Sequence, residues 1–128
     1  LLIYLPRKEV IVMKLDYDLI RSLLLIVEEE TDGYINLSVE YFCDKLRTRN
    51  HIQIRYHLKY LLDSHFIEGT YTRDAIMDIT PLGRNYLDHI RNDTIWNKTK
   101  KKLQPLGTVP LTVISQVAAS CISSKLGL

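Results

Sequence analysis

One stretch of the sequence carries side chains suited to contact nucleic acid. Residues 45–62 hold five lysines and arginines and no acid, whereas residues 14–44 hold eight acids against two bases. The net charge is only +2, but sorted charge of this kind predicts a surface with one basic side. Arginine and lysine contact phosphates, glutamine pairs with an adenine edge, and tyrosine hydroxyls reach phosphates. The candidate DNA-contacting residues are Arg47, Arg49, Gln53, Arg55, Tyr56, Lys59, Tyr60 and, further along the chain, Arg73.

A helix over about Ile52–Ser64 would position most of these side chains. Its predicted core side carries Ile54, Leu58, Leu61 and Leu62, which recur at helical spacing. The opposite side then carries Gln53, Tyr56, Lys59, Tyr60 and Asp63, with Arg55 and His57 on the two flanks. Arg47 and Arg49 precede this helix in a polar turn.

The elements before this helix follow from caps and periodicity. A first helix is predicted from Asp16, its N-cap, to about Glu30, because its apolar residues form one stripe. The alternating segment Tyr34–Leu37 predicts a short strand. Ser38 is expected to cap a short second helix.

The elements after it predict a hairpin and a helical tail. Two β-prone runs, 66–72 and 75–79, flank a polar tip that contains Arg73. Thr80-Pro81 is a strong start for a fourth helix. Asp93 is expected to cap a fifth helix, and a last helix is predicted to start at Thr108 or Val109-Pro110 and run to about Lys125.

The predicted fold class is α+β and mostly helical. Helix, strand, helix, turn, helix, hairpin, helix is the order of elements in a winged helix-turn-helix domain, here three helices plus a β-hairpin wing. The expected organisation is a dispensable leader at residues 1–12, the winged helix-turn-helix domain at 13–91, and a C-terminal helical extension at 92–128.

Several short segments of the sequence resemble segments of known protein families. Residues 56–67 and 79–87 resemble the segments that enter and leave the wing in many winged-helix regulators. Residues 13–21, 88–93 and 96–100 resemble an uncharacterised family of short bacterial and phage proteins, and this resemblance covers roughly residues 13–128. It implies a winged-helix core with a helical tail and supplies no functional residues. The chain departs from it in the leader and at His65, where a small residue or glycine is usual.

The sequence leaves two alternatives for the packing of the C-terminal tail. Residues 103–124 carry no charge, but their prolines, glycine, glutamine and serines exclude a membrane span. The last helix either packs back on the domain or pairs with a second copy, in which case a homodimer forms. Trp96 is predicted to anchor the tail by packing, and Lys98, Lys100, Lys101 and Lys102 are predicted to be a solvated face.

No set of residues predicts catalysis, a metal or another cofactor. Cys43, His51, His57 and His65 fit no zinc-ligand spacing, and no nucleotide-binding or hydrolase motif occurs. Two cysteines far apart, with no signal peptide recognised, predict a reducing cytoplasmic location. We therefore expect a protein that is not an enzyme.

Two functions remain open from the sequence. The first is a regulator that binds double-stranded DNA, with the third helix in the major groove and the wing and lysines on phosphates. The second is a protein-interaction adaptor that uses the same fold without DNA binding, with the uncharged tail as its contact surface. The near-neutral net charge and the acidic first helix favour it.

Overall fold

The computed structural model describes residues 13–128, and in this range the chain forms six α-helices and one antiparallel hairpin. The mostly helical α+β class and the predicted order of helices and hairpin are therefore confirmed. The leader, residues 1–12, lies outside the described residues, so its dispensability stays a prediction, as does the domain boundary near residue 91. The helices are α1 (Tyr17–Glu30), α2 (Val39–Lys45), α3 (His51–Asp63), α4 (Pro81–Ile90), α5 (Asp93–Leu103) and α6 (Leu111–Leu126), and the strands are β1 (Ile67–Thr70) and β2 (Ala75–Ile79).

Three predicted helix caps are present. The side chain of Asp16 accepts from the backbone N–H of Leu19 at 3.0 Å, and Ser38 accepts from Tyr41 at 3.2 Å. Thr80 accepts from the N–H of Gly83 at 3.0 Å, with Pro81 as the first helical residue. Each bond satisfies an N–H group that has no partner inside its helix.

Two helix starts differ from the prediction. Asn50 caps α3 by accepting from Ile52 at 2.7 Å, so this helix begins at His51. Asn92, and not Asp93, caps α5 by accepting from Ile95 at 3.0 Å. In both cases the asparagine stands two residues before the predicted first residue of the helix, and asparagine caps as well as aspartate does.

The predicted strand Tyr34–Leu37 is wrong over most of its length. Only Leu37 pairs, through a single antiparallel bridge to Ile76 of β2. The carboxylate of Asp32 accepts from the N–H groups of Tyr34 and Ile35 at 2.9 and 3.0 Å. This local turn satisfies donors that a strand would need, so the chain does not pair regularly with β2 between Gly33, which donates to the carbonyl of Met77 at 3.0 Å, and Leu37.

The connection from α3 to the hairpin packs tightly against α4. His65 takes the left-handed conformation with a φ of 62°, which is where glycine would be expected. Thr80 donates its hydroxyl to the carbonyl of His65 at 2.6 Å and its N–H to the carbonyl of Phe66 at 3.1 Å. A Cβ atom on Gly83 would lie 2.1 Å from the carbonyl oxygen of Phe66. Glycine at position 83 therefore lets α4 approach this turn.

Gly83→Ala is expected to lower the free energy of unfolding by about 1–3 kcal/mol, because the clash is with backbone and no rotamer relieves it. Asn85→Ala is the control, since Asn85 is exposed on the same helix and its replacement should change stability by less than about 0.5 kcal/mol. Urea unfolding of both variants measures the difference. Equal stability of the two variants would show that the backbone at Phe66 can shift away from the added Cβ atom with no loss of unfolding free energy.

The core forms around α1, which packs against α3, α4 and β2. Its fully buried residues form one stripe, as predicted, and they are Leu19, Ile20, Leu23, Leu24 and Val27. The last helix, α6, packs on α4 and α5 through Leu111, Ile114, Ala118 and Cys121. The tail therefore packs back on the domain, while pairing with a second copy stays a prediction. No helix within residues 13–128 is long and apolar enough to cross a membrane.

The tail is tied to α1 by hydrogen bonds at Asp18 and Tyr17. Trp96 is 3% exposed, and its indole N–H donates to the carboxylate of Asp18 at 2.8 Å. Lys100 donates to the same oxygen at 2.9 Å, which removes it from the predicted solvated lysine face. The hydroxyl of Tyr17 donates to the carbonyl of Val109 at 2.7 Å and accepts from its N–H at 2.8 Å. The prediction that Trp96 anchors the tail is confirmed.

Candidate nucleic-acid interface

Four exposed residues of α3 form a stripe directly opposite the core, which we call the outward face. Ile54, His57, Leu58 and Leu61 are fully buried against the core. The opposite side at helical spacing consists of Ile52, Tyr56, Lys59 and Asp63, all of them exposed.

His57 sets the orientation of α3, and the sequence prediction for it was wrong. It was placed on a flank, but it is fully buried. Its Nε2 accepts from the backbone N–H of Asp16 at 2.8 Å, and its Nδ1 lies 2.7 Å from the carbonyl oxygen of Gln53. The ring therefore carries its proton on Nδ1 and joins α3 to the start of α1. Because His57 is part of the core, Leu62 is only half-buried. The helix α3 is therefore rotated about its axis relative to the prediction, and the outward face is rotated with it.

The two flanks of the outward face differ. Gln53 is exposed on one flank, but Tyr60, two helical turns on, packs partly against the core, and burial raises the pKa of its hydroxyl. Arg55 is exposed on the other flank, beside α2. Burial raises the pKa of the Cys43 thiol on α2, and the charge of Arg55 acts in the opposite direction.

The two arginines before α3 have different surroundings. Arg49 is half-buried and forms an ion pair with Asp16, so its guanidinium supports the cap of α1. Arg47 is exposed, and its Nε donates to the carbonyl of Asp44 at 3.3 Å. Of the two, Arg47 is the one whose charge is open to a partner.

The charge of Tyr71, at the hairpin tip, acts on Lys59 of the outward face. Asp63 accepts from Lys59 at 2.7 Å and raises the pKa of that lysine, and the hydroxyl of Tyr71 at the hairpin tip adds a smaller effect in the same direction. Arg73, at the same tip, is exposed. The next residue, Asp74, has a φ of 54° and accepts from the N–H of Val39 at 2.7 Å, which holds the tip against α2.

Whether an arginine of residues 13–128 forms a salt bridge depends on its position in the fold. The arginines on α1 and at or near α4 are paired: Arg21 with Asp93, and Arg84 and Arg91 with Glu28, at 2.6 Å in each case. The hydrogen bond from Arg91 lowers the pKa of Glu28 despite its partial burial. Within this range, no salt bridge is formed by Arg47, Arg55 or Arg73.

The structure thus leaves six of the eight predicted residues exposed, and the other two are partly buried. The exposed members are Arg47, Gln53, Arg55, Tyr56, Lys59 and Arg73. Arg49 is turned towards α1, and Tyr60 is turned partly inward. Sequence reasoning missed two exposed residues, Ile52 and Tyr71. Ile52 stands four residues before Tyr56, and this spacing was the available signal that it belongs to the same stripe.

Comparison with known proteins agrees on a family. Residues 14–109 match the model of a family described as "Hypothetical protein (DUF2513)". The chain belongs to the DUF2513 family. An uncharacterized protein of Haemophilus influenzae is 33% identical over 121 residues, which is 89% of this chain and 99% of that relative. No solved structure matches. The expected resemblance to an uncharacterised family is confirmed, whereas the winged-helix assignment and a phage origin stay predictions.

Proposed function

We propose that this DUF2513 protein is a winged helix-turn-helix protein that binds double-stranded DNA and acts as a bacterial or phage transcriptional regulator. In this proposal α3 enters the major groove, and the hairpin is the wing. The order of elements along the chain supports the winged-helix assignment: α1, the bridge at Leu37, α2, α3 and then the hairpin. The two unpaired, buried cysteines accord with a cytoplasmic location.

The observation that carries the proposal is the distribution, within residues 13–128, of arginines without a carboxylate partner. Arg47, Arg55 and Arg73 come from the turn, α3 and the hairpin tip, which are the elements that contact DNA in this architecture. The arginines of the other helices are neutralised by carboxylates. An unpaired guanidinium is available to a phosphate, and phosphate contacts supply most of the non-specific affinity for DNA.

The roles follow from position. Arg47, Arg55 and Arg73 contact phosphates, and Lys59 joins them when it exchanges Asp63 for a phosphate. Gln53, in the first turn of α3, pairs with an adenine edge, because residues at the start of a recognition helix contact bases. Tyr56 reaches the backbone through its hydroxyl. Arg49 acts indirectly by fixing the cap of α1.

The charge contacts can be tested by fluorescence anisotropy with a random-sequence duplex at several salt concentrations. Arg55→Ala should weaken binding of all sequences alike and lower the slope of log K against log salt by about one unit. Asp63→Asn should strengthen binding, since it releases Lys59 from its carboxylate. Arg84→Ala is the control, because Arg84 lies on α4 beside Glu28, and it should leave the slope unchanged.

A second function is favoured by one observation. The ion pair between Lys59 and Asp63 neutralises the middle of the outward face, and Ile52 and Tyr56 add exposed apolar area to it. Such a face also suits contact with another protein. If no duplex is bound at micromolar protein and low salt, the DNA proposal fails and this protein-interaction adaptor replaces it.

A further inference from the structure

The first turn of α3 presents an exposed apolar side chain at its centre. Ile52 is 63% exposed, and it stands outside the hydrophobic core and the half-buried residues packed on it. It is the second residue of α3 and begins the outward face. A single exposed isoleucine is common on protein surfaces, so its position and surroundings, rather than its exposure, carry the inference.

This turn is held in place. The side chain of Asn50 accepts from the N–H of Ile52 at 2.7 Å, and it lies 3.4 Å from the N–H of Gln53. The buried ring of His57 bonds to the carbonyl of Gln53 at 2.7 Å and to the start of α1. Because both contacts restrain the backbone, Ile52 and Gln53 are presented side by side in a fixed orientation.

The chemistry of the major groove limits what isoleucine can recognise there. Base edges in this groove expose hydrogen-bond donors and acceptors and one apolar group, the C5 methyl of thymine. Ile52 has no polar side-chain atom, so this methyl is the group it can select. The cations that would serve phosphates, Arg55 and Lys59, lie on the flank and further along the helix.

We propose that Ile52 determines sequence specificity by packing on the C5 methyl of a thymine, next to the base that Gln53 contacts. This inference rests on the proposed DNA-binding function. The preferred site therefore contains a thymine whose methyl group contributes to affinity. Removal of that methyl should weaken binding by about fourfold, which corresponds to the ~0.8 kcal/mol of one buried methylene-sized group.

The experiment uses the full chain and a preferred duplex selected from a random library. Each thymine in turn is replaced by deoxyuridine, which lacks only the C5 methyl, and binding is measured by anisotropy. The wild type should lose about fourfold affinity at one position. Ile52→Ala should bind the thymine and deoxyuridine duplexes equally well. Arg55→Ala should bind both more weakly but keep the fourfold ratio. Circular dichroism checks that each variant is folded.

The outcomes separate this inference from the function on which it rests. If no duplex binds, both are overturned. If duplexes bind without sequence preference, or no deoxyuridine substitution matters, the thymine contact is overturned while DNA binding stands. If the fourfold loss persists in Ile52→Ala, a residue other than Ile52 contacts the methyl, and the inference is again overturned.

Discussion

Trp96→Ala is expected to lower the free energy of unfolding by about 3–5 kcal/mol, as for other buried tryptophans. The ring is 3% exposed, lies between the tail and α1, and donates to Asp18 at 2.8 Å. Removing it leaves a cavity and deprives Asp18 of one of its two hydrogen-bond donors, leaving only Lys100. Chemical unfolding followed by circular dichroism measures the loss without relying on the missing fluorophore.

Trp96→Phe separates packing from the hydrogen bond. It keeps an aromatic ring and loses the indole N–H, so it should cost clearly less than the alanine variant. Lys98→Ala, at an exposed position on the same helix, should change stability by less than about 0.5 kcal/mol. Solvent-exposed fluorescence of Trp96 in the native protein would contradict its role as the anchor of the tail.

His57→Ala is expected to cost about 3 kcal/mol of unfolding free energy. The substitution opens a cavity in the core and leaves the N–H of Asp16 without its acceptor, whereas the carbonyl of Gln53 keeps its backbone hydrogen bond within α3. Each buried polar group left unsatisfied costs about 1–3 kcal/mol. Because His57 also sets the orientation of α3, we expect weaker DNA binding even below the unfolding transition.

His51→Ala is the matched control for this variant. His51 lies on the same helix but is exposed, so its replacement should leave stability nearly unchanged. His57→Gln should fall between the two, because a longer amide restores part of the volume and one hydrogen bond. Equal stability of His57→Ala and His51→Ala would show that His57 does not join α3 to α1.

Local signals predicted the helices and the hairpin well. Asp16, Ser38 and Thr80 cap their helices as expected, because capping depends on residues within one turn of each other. The segment Tyr34–Leu37 was mispredicted, since alternation gave no sign that Asp32 would bond to the following N–H groups. Asn50 and Asn92 were overlooked as caps, although each stands within one turn of the N–H group that it satisfies.

The candidate site was predicted less completely than the fold. Arg55, Gln53 and Lys59 are exposed as expected, since a solvated charge or amide on a helix follows from type and periodicity. Arg49 is not, because its partner Asp16 stands 33 residues earlier. No local pattern reveals an ion pair between residues so far apart in the sequence.

The number and order of the helices, the hairpin and the basic character of residues 45–62 all follow from the sequence. The rotation of α3 about its axis, in contrast, depends on its packing against α1. The physical reason is that His57, polar by type, is buried once Asp16 of α1 supplies its second hydrogen bond. Packing of α1 against α3 also pairs Arg49 with Asp16, so it decides which cations remain open to a partner.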